Sequence, residues 1–271
     1  MTWDLVPAFV SAGVGLLGGL AAPVVVGRLP EPEPDPDPVP GTVDGLVPAA
    51  NEADFAKPVD EPKEPYAELA ARRGVRTGML VASVLVSALV GARMGWSPAL
   101  PFLLYLVPVG VALAVVDWRT RYLPTRLIAP SYAVVGVLVL LASLLDGDAG
   151  DLLGAVIGWL GSFAVFFLLW FLSPRSMAYG DVRLAGLLGL ALGWLGLAQV
   201  VLGFFTAFLL LAVGGIVLSL VKVFHRRHMP FGPFLLVGAL LGALFPLQVL
   251  TAYAAVVGGV TNLIISVVDA F

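Results

Sequence analysis

The sequence predicts an all-α integral membrane protein, a polytopic bundle of about eight and at most nine transmembrane helices. Of its 271 residues, 59% are hydrophobic and only 12% are charged, whereas a soluble domain carries about 25% charged residues. The mean hydropathy is +0.99, and several apolar runs approach or exceed the roughly 18–20 residues that cross a bilayer core as a helix. This composition excludes a water-soluble globular protein. The absence of cysteine further excludes disulfides, thiol nucleophiles and cysteine-ligated metal sites.

The apolar runs define the candidate spans. The breaks near 96–98 and 196–199 separate adjacent runs, and the final run is either a ninth span or a helix packed at the membrane interface. The runs lie near 5–27, 77–95, 98–116, 127–145, 152–172, 183–198, 200–221, 232–250 and 252–268.

Composition divides the chain into three parts: an N-terminal transmembrane anchor (1–29), an acidic Pro-rich cytoplasmic loop (30–75), and a transmembrane bundle (76–271). The first apolar run has no basic residue before it, so we expect it to stay in the protein rather than to be cleaved as a signal peptide. Over 30–65 the chain is acidic and, in its first part, proline alternates with Glu or Asp, which favours an extended, disordered chain. The segment from Tyr66 to Arg73 is a candidate short amphipathic helix.

The basic residues predict the orientation. If Met1 lies outside, every Lys and Arg except Arg93 falls in a cytoplasmic loop, as expected when positive charge sets topology. We therefore expect a multi-pass protein of the cell (inner, cytoplasmic) membrane with its N-terminus outside.

Two carboxylates stand out at the predicted cytoplasmic helix ends. Asp117 ends one apolar helix and Asp181 precedes another, while the helix interiors carry no Asp, Glu, Lys, Arg or His. Two such carboxylates can share a proton and activate a water, as in aspartic proteases. Alternatively, Asp117 is an ordinary interfacial residue and Asp181 a helix cap. Because helix starts favour negative charge, we expect Asp181 to be the more readily ionised of the two.

The segments around both aspartates resemble the active-site motifs of the prepilin peptidases, membrane aspartic proteases of the GxGD type. The first aspartate is followed by a Leu-Pro step and the second comes after Gly and before a basic residue, and a later stretch resembles the family's Ile-Pro-Phe-Gly-Pro-Phe. The residues that carry the resemblance are Asp117, Leu123, Pro124, Gly180, Asp181, Arg183, Pro230, Phe231, Gly232 and Pro233. Ala178 replaces the first Gly of GxGD, which is compatible with the motif if its φ is negative.

The resemblance implies an aspartic endopeptidase in which Asp117 and Asp181 are catalytic and face the cytoplasm. Its substrates would be prepilin or pseudopilin precursors with a basic leader and an apolar helix, and its surroundings membrane lipids; no nucleic acid is implied. Proteolysis of this type needs no cofactor and no metal. The bifunctional members also methylate the new N-terminus from S-adenosylmethionine and carry cysteine pairs that this chain lacks, so methylation stays open. Arg183 and the cluster of Arg119, Arg121 and Arg126 would hold anionic headgroups or an acidic substrate residue, or alternatively serve only as the positive charge that anchors cytoplasmic loops.

The sequence fits other functions less well. A non-catalytic membrane assembly protein of the same fold is the main alternative, and a transporter is disfavoured by the charge-free helix interiors. Gly13, Gly15 and Gly18 spell GxGxxG but lie inside an apolar run, which favours helix packing over nucleotide binding. His225 and His228 lack a third ligand, which favours a solvated basic loop over a metal site.

Overall fold

The computed structural model describes residues 4–30, 65–173, 177–220, 230–255 and 258. Throughout these residues the regular structure is helical, which confirms the predicted fold class. Most of the acidic loop, both histidines, Met229 and most of the final apolar run lie outside the described residues. The helices are α1 Leu5–Gly27, α2 Tyr66–Ala71, α3 Arg73–Met94, α4 Leu100–Thr120, α5 Thr125–Asp146, α6 Ala149–Leu172, α7 Tyr179–Leu195, α8 Leu197–Leu220, α9 Gly232–Leu244 and α10 Pro246–Ala255.

Six of the described helices are long and apolar enough to cross a membrane: α1, α3, α4, α5, α6 and α8. The predicted span 232–250 is not one straight helix, because the chain bends by 104° between α9 and α10. Counting this bent pair as one span gives seven. The expected number of eight or nine is therefore not confirmed within the described residues. One predicted span that is missing from this count is α7, because its 17 residues are at the lower limit of the length that crosses a membrane.

Small residues let neighbouring helices approach closely, as expected in lipid, where packing replaces the hydrophobic drive between helices. Gly15 of α1 illustrates this, since a Cβ there would lie 2.5 Å from the carbonyl oxygen of Ser83 on α3. At Gly18 it would lie 2.7 Å from Cγ of Pro108 on α4. The predicted packing role of the GxGxxG stretch is confirmed at both glycines.

Helix α7 is the centre of the bundle. It packs against α5, α6, α8 and α9, and nearly every residue from Asp181 to Trp194 is buried. Its Trp194 donates a hydrogen bond to Ser143 Oγ on α5 at 2.9 Å. A central helix with no lipid-facing side provides a fixed support for the carboxylate in its first turn.

A polar contact joins α3 to the end of α9, at the end of the bundle opposite the first turn of α7. The Arg93 guanidinium, on the last turn of α3, donates to the Leu244 carbonyl at 3.0 Å and lies 4.7 Å from the centre of the Phe245 ring. The break after α9 leaves helical carbonyls without intrahelical donors, and Arg93 supplies one. An apolar cavity of about 200 Å³ lies between the two ends, lined by α3, α4, α7 and α9.

Candidate active site

Asp117 lies in the last turn of α4 and is 5% exposed. Its Oδ2 accepts a hydrogen bond from the backbone N–H of Gly232 at 2.9 Å. The first residues of a helix have free N–H groups, and Gly232 is the first residue of α9. A Cβ at position 232 would lie 2.7 Å from Asp117 Oδ2, so the contact requires glycine. The start of α9 thereby fixes the orientation of the Asp117 carboxyl group.

Asp181 lies in the first turn of α7 and is also 5% exposed. Its Oδ2 accepts a hydrogen bond from the N–H of Ala178 at 3.2 Å. Ala178 has φ −79°, an ordinary value for an L-residue. The replacement of the family's first glycine by alanine therefore causes no backbone strain here.

The two aspartate segments pack directly on each other. Gly180 lies against Leu123, and a Cβ at position 180 would be 2.8 Å from the Leu123 Cβ. Leu123 and Pro124 are both buried. The Leu-Pro step after Asp117 is thus the surface on which the Gly-Asp turn rests.

The stretch from Pro230 to Pro233 connects the site to an aromatic cluster. Pro230, Phe231 and Gly232 are buried and Pro233 is half-buried. The Phe231 ring lies 6.1 Å from that of Phe166 and 5.1 Å from that of Phe208. The phenylalanine anchors the loop while the next residue, Gly232, presents its N–H to Asp117.

The arginines near the site divide into two groups. Arg119, Arg121 and Arg126 are exposed, whereas Arg183 is half-buried and its guanidinium contacts Thr125 and Tyr179. Sequence reasoning assigned Arg183 to lipid or substrate and overlooked its two partners. No signal in the sequence indicated Thr125, because a contact between separate helices has no fixed spacing along the chain. Tyr179 lies four positions before Arg183 on α7, a spacing at which side chains on one helix meet.

Asp181 is not the readily ionised group that its place at a helix start predicts. Burial, and next the charge of Asp117, raise the pKa of Asp181 to about 7, although the Ala178 hydrogen bond acts in the opposite direction. Desolvation outweighs the favourable helix start. The effect of the Asp117 charge on this pKa indicates that the two carboxyl groups are within electrostatic reach of each other. In the part of the chain that the structure describes, no group of three or more potential ligands could hold a metal ion.

This raised pKa predicts a pH-dependent stability. A carboxyl whose pKa is higher in the folded state stabilises the fold fully below its unfolded value of about 3.9, and this contribution is lost as the pH rises through about 7. We expect Asp181→Asn to raise the apparent Tm in detergent at pH 8, because the neutral amide removes the cost of burying a charge. Each kcal/mol gained in the free energy of unfolding should raise Tm by about 2–4 °C, and at pH 4 the Tm should change little. Asp4→Asn, at an exposed carboxyl at the far end of the bundle, is the matched control. A Tm difference that does not depend on pH would contradict the prediction.

The segment that contains both aspartates is similar to a known protein family. Residues 104–220 match the type IV leader peptidase family. The prepilin leader peptidase/N-methyltransferase of Burkholderia pseudomallei (strain 1026b) is 32% identical over 134 residues, 47% of this chain and 41% of that protein. The protein of the same name from Dickeya chrysanthemi is 32% identical over 155 residues, which are 54% of this chain and 52% of that protein. That from Klebsiella pneumoniae is 33% identical over 109 residues, 39% and 47% of the two chains.

The chain thus spans about half the length of the curated relatives it matches. No solved structure matches it. The 104–220 match contains both aspartates, Gly180 and the Leu-Pro step, and it ends before Pro230. The resemblance to the prepilin peptidases is therefore confirmed, and it rests on residues 104–220, which are similar to the type IV leader peptidase family.

Proposed function

We propose that the protein is an aspartic endopeptidase that removes the short leader of prepilin-like precursors at the cytoplasmic face of the cell membrane. The observation that carries the proposal is the pair of buried carboxylates, Asp117 and Asp181, which interact electrostatically and lie within the residues that match the peptidase family. The name shared by the relatives supplies the substrate, a prepilin leader.

In the proposed mechanism the two carboxyl groups share one proton. Asp181 holds it, consistent with its raised pKa, and donates a hydrogen bond to the scissile carbonyl oxygen. Asp117, oriented by the Gly232 N–H, acts as general base and takes a proton from the attacking water. The tetrahedral intermediate then collapses as its C–N bond breaks. The leaving amine takes up the proton that Asp117 removed from the water, so the pair again holds one proton. The products are the leader carboxylate and a new N-terminal amine.

The distribution of arginines supports a cytoplasmic site. Contacts along the bundle place the start of α9 and the end of α4 at one end, with the ends of α3 and α9 at the other. Among the described residues, Arg93 is the one basic side chain at that other end. The remaining ones lie at the end of α1, the start of α3, the end of α4 and the starts of α5 and α7, which is the end with the aspartates. Since positive charge favours the cytoplasm, we assign the site to the cytoplasmic face, with the N-terminus outside.

S-adenosylmethionine has no part in the proposed reaction. One glycine-rich stretch, GxGxxG at 13–18, has the spacing of a nucleotide-binding fingerprint. The space beside its glycines is occupied by neighbouring helices, since Gly15 packs against Ser83 and Gly18 against Pro108. It therefore does not form a cradle for a nucleoside. The relatives are named as methyltransferases, and the experiment below includes methyl transfer as a separate readout.

The test uses the purified full chain in detergent with a prepilin-like peptide that has a basic leader before an apolar helix. We expect mass spectrometry to find one cut between the leader and the apolar segment, with no added cofactor. A second reaction contains S-adenosylmethionine, and a product heavier by one methyl group would add the transferase activity. If the wild type binds the peptide but never cleaves it, the chain is an assembly protein of the same fold and the proposal is wrong.

A further inference from the structure

A cluster of side chains joins α5 to α7 beside the aspartates. The Arg183 guanidinium donates a hydrogen bond to Thr125 Oγ1 and lies 4.5 Å from the centre of the Tyr179 ring. The Tyr132 hydroxyl, also on α5, donates to the backbone carbonyl of Arg183 at 2.7 Å. One residue of α7 is therefore held by α5 through both its side chain and its backbone. This residue lies only two positions after Asp181.

The cluster spans the two segments that carry the carboxylates. Thr125 is the first residue of α5 and directly follows the Leu-Pro step on which Gly180 packs. The same short connection leads back to Asp117 at the end of α4. Fixing Thr125 to Arg183 thus limits how far the first turn of α7 can move from the end of α4. A misplacement of about 1 Å in a catalytic group can cost about 10²-fold in rate.

Resting on the proposed function, we infer that Arg183, Thr125 and Tyr179 form a positioning clamp that sets the place of Asp181 relative to Asp117. Arg183 acts through Thr125 and Tyr179 and does not bind substrate or lipid. The planar guanidinium suits this task because it donates in a fixed direction while stacking on an aromatic face, which a lysine ammonium cannot do equally well. The exposed arginines Arg119 and Arg126 remain available to anionic groups.

The test compares kcat and KM for peptide cleavage in variants of both clamp partners. Thr125→Val removes the acceptor without changing any charge, and we expect kcat to fall about 10–100-fold with KM within about twofold of the wild type. Thr125→Ser keeps the hydroxyl and is expected to restore most of kcat. Arg183→Met removes the contacts with both Thr125 and Tyr179 and should lower kcat at least as much as Thr125→Val. The double variant should be no slower than Arg183→Met, because Thr125 then has no clamp contact left to lose. Thr251→Val, an exposed threonine far along the chain on α10, is the matched control.

The competing role gives a different result. If Arg183 binds an acidic group of the substrate or a lipid, Arg183→Met raises KM, Arg183→Lys restores it, and Thr125→Val cleaves like the wild type; this pattern would overturn the clamp. If Thr125→Val proves too unstable to assay, Arg183→Lys decides alone: a lowered kcat at unchanged KM supports the clamp, and wild-type kinetics refute it. Failure of the proposed function differs from both outcomes, because the wild type itself would then not cleave.

Discussion

Replacing either Asp117 or Asp181 by Asn is expected to lower the rate of leader cleavage by about 10³-fold or more. Each substitution keeps the size of the side chain and the backbone hydrogen bonds from Gly232 or Ala178, while it removes the ability to exchange a proton. General acid–base catalysis by one group contributes about 10²–10⁴-fold, and the two groups act as a unit, so the double variant should be no slower than the single ones. The measurement is kcat/KM on the purified variants.

The control for these variants is Asp148→Asn. Asp148 is an exposed carboxyl that caps α6 by accepting the Gly150 N–H at 2.7 Å, and asparagine caps equally well, so cleavage should be unchanged. If either Asn variant keeps near wild-type cleavage, the two aspartates are not a catalytic dyad. An assembly protein, in contrast, would tolerate both substitutions in a test of pilus formation.

Gly232→Ala should lower kcat by about 10–100-fold while the protein remains folded. The new methyl group would lie 2.7 Å from Asp117 Oδ2, closer than van der Waals contact, so the carboxyl group must rotate or α9 must shift. Either movement disturbs the Gly232 hydrogen bond that orients Asp117, and small displacements of a catalytic group are costly in rate. Single-turnover cleavage at saturating peptide measures the effect directly.

The matched control is Gly136→Ala on α5, where a Cβ would meet no atom within 4 Å. Alanine in a helix interior is favoured over glycine by about 0.5–1 kcal/mol, so this variant should be at least as stable as the wild type and fully active. Equal activity in the two alanine variants would show that the Gly232 contact does not orient the base.

The sequence predicted the parts of the molecule that depend on local pattern. Apolar runs located the long helices and the breaks between them, and charge at helix ends singled out Asp117 and Asp181. Ala178 was expected to be tolerated with negative φ, and its φ of −79° agrees. The helices and the two aspartates follow from composition and spacing, and the expectation for Ala178 follows from the family resemblance.

The remaining features depend on contacts between distant segments. The bend after Leu244 was missed because the run 232–250 is apolar throughout, and its stabilising partner, Arg93, lies 151 residues earlier in the chain. The hydrogen bond from Gly232 to Asp117 spans 115 residues. The ionisation of Asp181 was misjudged since burial, which local sequence does not reveal, outweighs the helix start.

The early end of α9 has a consequence for the surrounding bilayer. Its 13 residues rise only about 20 Å, against about 30 Å of hydrocarbon in a typical membrane, and the chain then turns by 104°. Where α9 faces lipid, at Val237, such hydrophobic mismatch would be met by local thinning of the bilayer, at a cost of a fraction of a kcal/mol per Å. Acyl-chain length therefore becomes a variable in any reconstitution, with shorter lipids matching the α9 side of the bundle better than long ones.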